Sequence, residues 1–278
     1  MYITVNQTPI YAYTGGKPFD PAKPTLVFIH GVLNDHSVWI LQTRYFAHHG
    51  YNVLAVDLPG HGKSEGNCPK TVEEAAEFVL SLLSGMNIKG AALIGHSWGS
   101  LIALHAASIA AERGLTVSHL AMVGTAYPMK VSPALLDASL NEPMKAIEMV
   151  NTFSHSSLAP PPSALGPGTW LYGGSRALMR RVLASNAKEN VFHIGFKACD
   201  SYERAFEALN RLVAGIEYAQ SAILFIVGMA DQMTTPKAAQ SLIDKAPQAR
   251  VSRVSGGHQM MTESPEEVLQ ALKDFIKA

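Results

Sequence analysis

Gly95-His96-Ser97-Trp98-Gly99 sets a serine between two glycines in the spacing G-x-S-x-G, directly after the apolar run Ala91–Ile94 and directly before the helical pattern Ser100–Glu112. A serine on so sharp a strand-to-helix turn holds its hydroxyl in the open on a strained backbone, and a Cβ at either flanking position would strike the neighbouring strand or helix. The spacing alone is weak; the strand before it and the helix after it give it meaning. A hydroxyl is a poor nucleophile at neutral pH, so acyl transfer also needs an imidazole to take its proton and a carboxylate to hold that imidazole in the right tautomer. On a turn of this kind the partners follow in the order serine, acid, histidine, on loops after late strands. Asp231, in Gly228-Met229-Ala230-Asp231 after the run Ile223–Val227, and His258, in Ser255-Gly256-Gly257-His258 after the short run Arg250–Val254, occupy those places. Asp244 is the nearest competing acid, but its place late in a helical stretch turns it away from that edge.

The same chemistry needs donors for a developing oxyanion. One is expected from the backbone N–H of Trp98, at a helix N-terminus whose dipole favours negative charge. The other is expected from Val32, in His30-Gly31-Val32-Leu33, where Gly31 lets the backbone turn. His30 then reads as a structural histidine.

The elements that must position these residues are legible as pattern. Tyr2–Val5 and Ile10–Tyr13 flank an Asn6-Gln7-Thr8 turn and predict a hairpin. The runs Thr25–Ile29, Val53–Val56, Ala91–Ile94, Leu120–Val123 and Ile223–Val227 are too short for helices and too uniformly apolar for a sheet with one wet face, so they predict buried parallel strands. Helices are expected at Val72–Leu83, with Thr71 and Glu74 as a capping box, at Ser100–Glu112 and Pro236–Lys245, and at Pro265–Ile276, capped by Ser264 with Glu267. This alternation is that of an α/β fold with helices on both faces of the sheet. It stops after Val123 and resumes near Ser221. The segment between carries helical stretches led by Pro133 and Pro143, a turn-rich Ser154–Gly168 with Pro160-Pro161-Pro162, then Ser175–Ala187 and a last helix capped by Asp200 with Glu203. The expected organisation is a core of residues 1–124 and 221–278 with a helical cap, or lid, at 125–220.

In order along the chain, "FIHGVLNDHSVW", "VDLPGHGKS", "LIGHSWGS", "VGMADQMTTP" and "SGGHQMMTESPEEV" resemble the α/β-hydrolase family, in its capped, epoxide-hydrolase-like and esterase-like branch. The resemblance runs from about Thr25 to Ala278, and in the lid it holds only for position and helical character. It implies a mostly parallel central sheet, the triad Ser97, Asp231 and His258, and a loop-fixing structural role for Asp57. Dehalogenases and epoxide hydrolases of this branch use an aspartate where Ser97 stands, which disfavours both chemistries. Proline iminopeptidases are similar around the tryptophan of the serine motif, but the lid has no acidic cluster to hold a free amino group.

The reading is therefore a serine hydrolase cleaving carboxylic esters through an acyl-enzyme, with no metal or organic cofactor. The same triad also serves carbon–carbon hydrolases, lactonases and cofactor-free haloperoxidases of similar sequence, and a ligand receptor on a hydrolase fold is the alternative of another class. The lid's aromatics, Phe153, Trp170, Tyr172, Phe192 and Phe196, must bury against something. Trp170 and Tyr172, with Met129 and Met233 as flexible additions, are expected to wall a dry pocket for small to medium apolar groups. A small molecule is thus the expected partner, and the sequence sets no oligomeric state. Twenty-two Lys and Arg against 22 Asp and Glu leave no net charge and no basic stripe for nucleic acid. No apolar run reaches the roughly 18 residues of a membrane span. A cytoplasmic location is the default in the absence of a leader-like N-terminus. Cys68 and Cys199 lie far apart without metal-ligand spacing and read as bystanders.

Overall fold

Uniformly apolar five-residue strands can be stable only with both faces covered, and that is how the chain is built. The computed structural model describes residues 1–157, 170–214 and 221–277; the Pro160-Pro161-Pro162 turn, expected as a lid loop, lies outside them. The first half runs β1 (Tyr2–Val5), β2 (Thr8–Tyr13), β3 (Thr25–Ile29), α1 (Ile40–His48), β4 (Asn52–Val56), α2 (Val72–Gly85), β5 (Gly90–His96), α3 (Trp98–Ile109) and β6 (Thr116–Val123). Among the described residues five helices follow: α4 (Pro133–Asn141), α5 (Pro143–Ser154), α6 (Leu171–Ser185), α7 (Val191–Ser201) and α8 (Ala205–Val213). The chain then returns through β7 (Ala222–Gly228), α9 (Pro236–Lys245), β8 (Arg250–Val254), α10 (Met260–Glu263) and α11 (Pro265–Ile276).

The eight strands form one sheet in the order β1-β2-β4-β3-β5-β6-β7-β8, antiparallel at β1-β2-β4 and parallel from β4 to β8. Alternate residues of each strand feed the two layers of core. Val27, Ile29 and Leu93 pack with α2 and α3, whereas Leu26, Phe28 and Ile94 pack with Trp39, Phe46 and Phe275 on the opposite face. At the opening hairpin Val5 pairs with Thr8, so the loop is only Asn6-Gln7, and both residues take positive φ (48° and 65°). That is the primed two-residue turn whose twist matches the flanking strands.

Several local expectations are corrected. The Thr71 cap forms, its hydroxyl accepting the Glu74 N–H at 3.1 Å, but Glu74 reaches back to the Lys70 N–H rather than to Thr71. The box at Ser264 does not form: Ser264 Oγ meets Ser255 Oγ, and Glu267 accepts from the Ser255 N–H and hydroxyl, tying the loop before α10 instead. Asp200 caps nothing. It lies in the last turn of α7, its carboxylate accepting the Val131 N–H at 3.0 Å, and the next helix starts at Ala205. Helix α1 carries no clear apolar period because its inward face is Gln42, Thr43, Phe46 and Ala47. Among the described residues no helix is long and apolar enough to cross a membrane.

Candidate active site

The three residues of the expected triad stand at the carboxyl ends of β5, β7 and β8, which are parallel and adjacent through β6. Ser97 follows β5 with φ 53° and ψ −119°, a conformation open to glycine and strained for a residue with a Cβ. Backbone crowding enforces it. A Cβ at Gly95 would lie 2.0 Å from the Gly99 carbonyl oxygen, and one at Gly99 would lie 2.4 Å from that of Ile29. The turn is pinned by the Ser97 N–H donating to Val123 O at 2.9 Å and by Ser100 Oγ donating to Ser97 O at 2.5 Å.

Asp231 and His258 form a buried pair. His258 Nδ1 lies 2.9 Å from Asp231 Oδ2. Asp231 Oδ1 accepts the N–H groups of Met233 and Thr234, both at 2.8 Å, and Thr234 Oγ1 donates to Oδ2 at 2.7 Å. Burial would raise this carboxyl, but the charge and hydrogen bond of His258, with those of Thr234, hold it below the ordinary carboxylate range. Asp231 is therefore an anion aimed at one imidazole nitrogen. The backbone of His258 is fixed as well, its carbonyl accepting from His96 Nε2 at 2.9 Å. Asp244, the competing acid, accepts from Gln240 on the exposed face of α9.

Trp98 is the first residue of α3, where a backbone N–H has no partner within its helix. Val32 follows Gly31, whose absent Cβ would lie 3.1 Å from Ser97 Cβ; this close approach brings the Val32 loop against the serine. Both ring nitrogens of His30 are engaged with backbone: Nδ1 bonds Gly31 O at 2.8 Å and Nε2 accepts the Leu58 N–H at 3.1 Å.

Val32, Ser97 and His258 line one cavity of about 270 Å³. Of the expected wall residues, Met129 and Met233 line it and Trp170 and Tyr172 do not. The first turn of α6 packs on α5 and the residue that follows it: Tyr172 donates to Glu148 Oε2 at 2.9 Å and faces His155, and Trp170 packs on Tyr172 with 40% of its surface exposed. The wall comes from α4, α5 and α7 instead, as Leu135, Met149, Phe153 and Phe196. Phe192 packs behind Phe196, fully buried.

One group of metal-capable side chains comes together among the described residues, Asp35, His36 and Asp57, with ligand atoms within 4.8 Å of one another. Its oxygens are already engaged. Asp57 accepts from His36 and from the Lys63 N–H, and Asp35 accepts from Ser37 and from Arg181 of α6. These bonds fix two loops, in keeping with a structural Asp57.

A profile of the alpha/beta hydrolase family matches residues 26–271. The chain belongs to that family. Among curated relatives, this chain is 24% identical over 261 residues to the dihydrolipoyllysine-residue acetyltransferase component of the acetoin cleaving system of Pseudomonas putida, covering 91% of this chain and 63% of that one. It thus spans less than two thirds of that relative's length. Among solved structures, the enol-lactonase from Burkholderia xenovorans LB400 superposes with a TM-score of 0.80 at 19% identity, over all of both chains. An esterase from Exiguobacterium antarcticum gives the same score at 18% identity, over 100% of this chain and 99% of that one. These likenesses establish the fold.

Three features of the candidate site are not singled out by the sequence motifs. Thr234 stands three residues after Asp231, the offset at which a side-chain carboxylate collects local donors, and that spacing is a usable signal. His96 and Asn34 carry none: His96 meets its partner, the His258 carbonyl, only across the fold, and the Asn34 amide bonds Val32 O two residues away at a spacing that marks no site. Both cysteines are buried and unpaired; burial lifts the Cys68 thiol to about 12 and raises Cys199, on the cavity wall, still further, so neither is a nucleophile at neutral pH.

Buried neutral histidines should also make the protein acid-sensitive. Burial, with repulsion from a neighbouring imidazole, drives His61 and His96 from 6.5 down to about 3. Between those values the unfolded chain binds protons that the folded chain excludes, so stability falls as pH drops below 6.5, by up to about 1.4 kcal/mol per pH unit for each histidine. Melting temperature measured from pH 7 to 4 should decline steadily, and a folded His61→Gln variant should decline less steeply.

Proposed function

We propose that this protein is a serine hydrolase that cleaves carboxylic esters of small to medium apolar acids through an acyl-enzyme. The observation that carries the reading is the buried Asp231–His258 pair, at 2.9 Å, opening on the same cavity as a serine held at φ 53°. His258 takes the Ser97 proton as Oγ attacks the ester carbonyl, and Asp231 stabilises the imidazolium that results. The N–H groups of Val32 and Trp98 hold the oxyanion, where the N-terminus of α3 adds its dipole. The alcohol leaves with the proton from His258, and water then releases the acid.

Residues 125–220 act as the cap over this site, and their helices supply the apolar wall opposite Ser97. Leu135, Met149, Phe196 and Met233 give an acyl chain an apolar wall, with Lys130 the charged side chain beside it, and a cavity of about 270 Å³ favours short and medium chains over long ones. Esters of p-nitrophenol from acetate to dodecanoate, with lactones alongside, test the substrate range, and activity should peak at short or medium chains. Phe196→Ala should shift that optimum to longer acyl groups by at least two carbons, whereas Trp170→Ala should leave the ranking as it is. A shift produced by Trp170→Ala and not by Phe196→Ala would contradict the assigned wall.

A further inference from the structure

A second, much smaller space of about 30 Å³ lies against Ser97 and His258, walled in part by Asn34 and His96 and, from α5 and α6, by Val150 and Met179. Two of its side chains carry buried polar atoms without a partner, Asn34 Oδ1 and His96 Nδ1. Both residues are at most 3% exposed, and both are anchored at their other ends. Asn34 Nδ2 donates to Val32 O at 3.3 Å, and His96 Nε2 donates to His258 O at 2.9 Å. With the proton on Nε2, Nδ1 of His96 presents a lone pair, and burial keeps that ring unprotonated. Two residues with unmet acceptors thus line a space larger than the roughly 10–15 Å³ a water requires, and buried acceptors left unmet are costly.

We propose that this chamber holds the water that hydrolyses the acyl-enzyme, with Asn34 and His96 as the positioning residues that keep it there. The proposal rests on the reading of Ser97 as nucleophile. In the resting chamber the water donates its hydrogens to Asn34 Oδ1 and His96 Nδ1. During deacylation its oxygen bonds the acyl carbonyl carbon and the carbonyl electron pair moves onto the oxyanion. One water proton passes to His258, while the other stays on the new hydroxyl beside Asn34. The anion then collapses, the bond to Ser97 Oγ breaks, Oγ regains the proton from His258, and the carboxylic acid leaves. Asn34 and His96 exchange no proton. A space this small admits water and resists an alcohol, so it also sets which acceptor takes the acyl group.

The test is partitioning of the acyl-enzyme. Wild type, Asn34→Leu and Val150→Leu are given p-nitrophenyl acetate with and without methanol, and labelling of Ser97 by a fluorophosphonate is followed in parallel. Asn34→Leu removes one acceptor; Val150→Leu narrows the chamber while touching neither acceptor, and it carries the test should the first variant fold poorly or disturb the Val32 loop. Both variants should release the first equivalent of p-nitrophenol within a few-fold of the wild-type rate. Both should then hydrolyse about ten-fold more slowly, so that a burst appears and the ratio of methyl acetate to acetate rises about ten-fold. Hydrolysis and methanolysis falling in equal proportion would overturn the proposal. A wild-type chain that takes no label at Ser97 would instead overturn the nucleophile reading, and this proposal with it.

Discussion

A Ser97→Ala protein should hydrolyse p-nitrophenyl acetate on the order of a million-fold more slowly than wild type, leaving only what binding and the oxyanion donors supply. The fold should be unchanged, because alanine keeps the Cβ and loses only the hydroxyl. Position 97 also stores strain. Its φ of 53° and ψ of −119° suit glycine, and a residue with a Cβ held there costs about 1–3 kcal/mol. Ser97→Gly should therefore be as inactive as Ser97→Ala and melt a few degrees above it. Such a pair of variants separates the chemistry of the hydroxyl from the geometry of the turn. Wild-type activity in either one would show that the reacting group lies elsewhere.

The second large effect is expected at Asp231. In Asp231→Asn the side-chain oxygen must remain at the Oδ1 position, where the N–H groups of Met233 and Thr234 both donate. The amide nitrogen then takes the Oδ2 position, 2.9 Å from His258 Nδ1, and offers that ring nitrogen a donor instead of an acceptor. His258 answers by carrying its proton on Nε2, which is the wrong tautomer for accepting the proton of Ser97. The loss in kcat/KM should be on the order of ten thousand-fold, with circular dichroism unchanged. Near-wild-type turnover, with inactivation by some other carboxylate substitution, would reassign the acid.

What was legible in the sequence was whatever local pattern determines. Continuous apolar runs can only be strands covered on both faces, so β3 to β7 stand where those runs do. Ser97, Asp231 and His258 come together because each ends or follows a strand of one parallel sheet, and strand ends in such a sheet converge on one edge. The wall of the cavity follows a different rule. Phe196 and Trp170 look alike as aromatics between β6 and β7, and only the docking of α7 against Val32, which Gly195 approaches closely, and of the start of α6 against α5 decides which one meets the cavity. No period in the sequence encodes that choice. Capping signals fail for a related reason: Glu267 and Asp200 have the residue types for caps, but nearby backbone N–H groups at Ser255 and Val131 take their carboxylates first. Asn34 and His96 were silent because an unmet acceptor is visible only once its surroundings are packed.

Mass spectrometry of the protein treated with a fluorophosphonate addresses the central claim most directly, because such a reagent reacts with a serine only where a base and oxyanion donors activate it. One label per chain is expected, on the peptide that contains Ser97, with no incorporation into Ser97→Ala and greatly slowed incorporation into Asp231→Asn. Absence of label from the native chain, or a label on any other residue, would contradict the account.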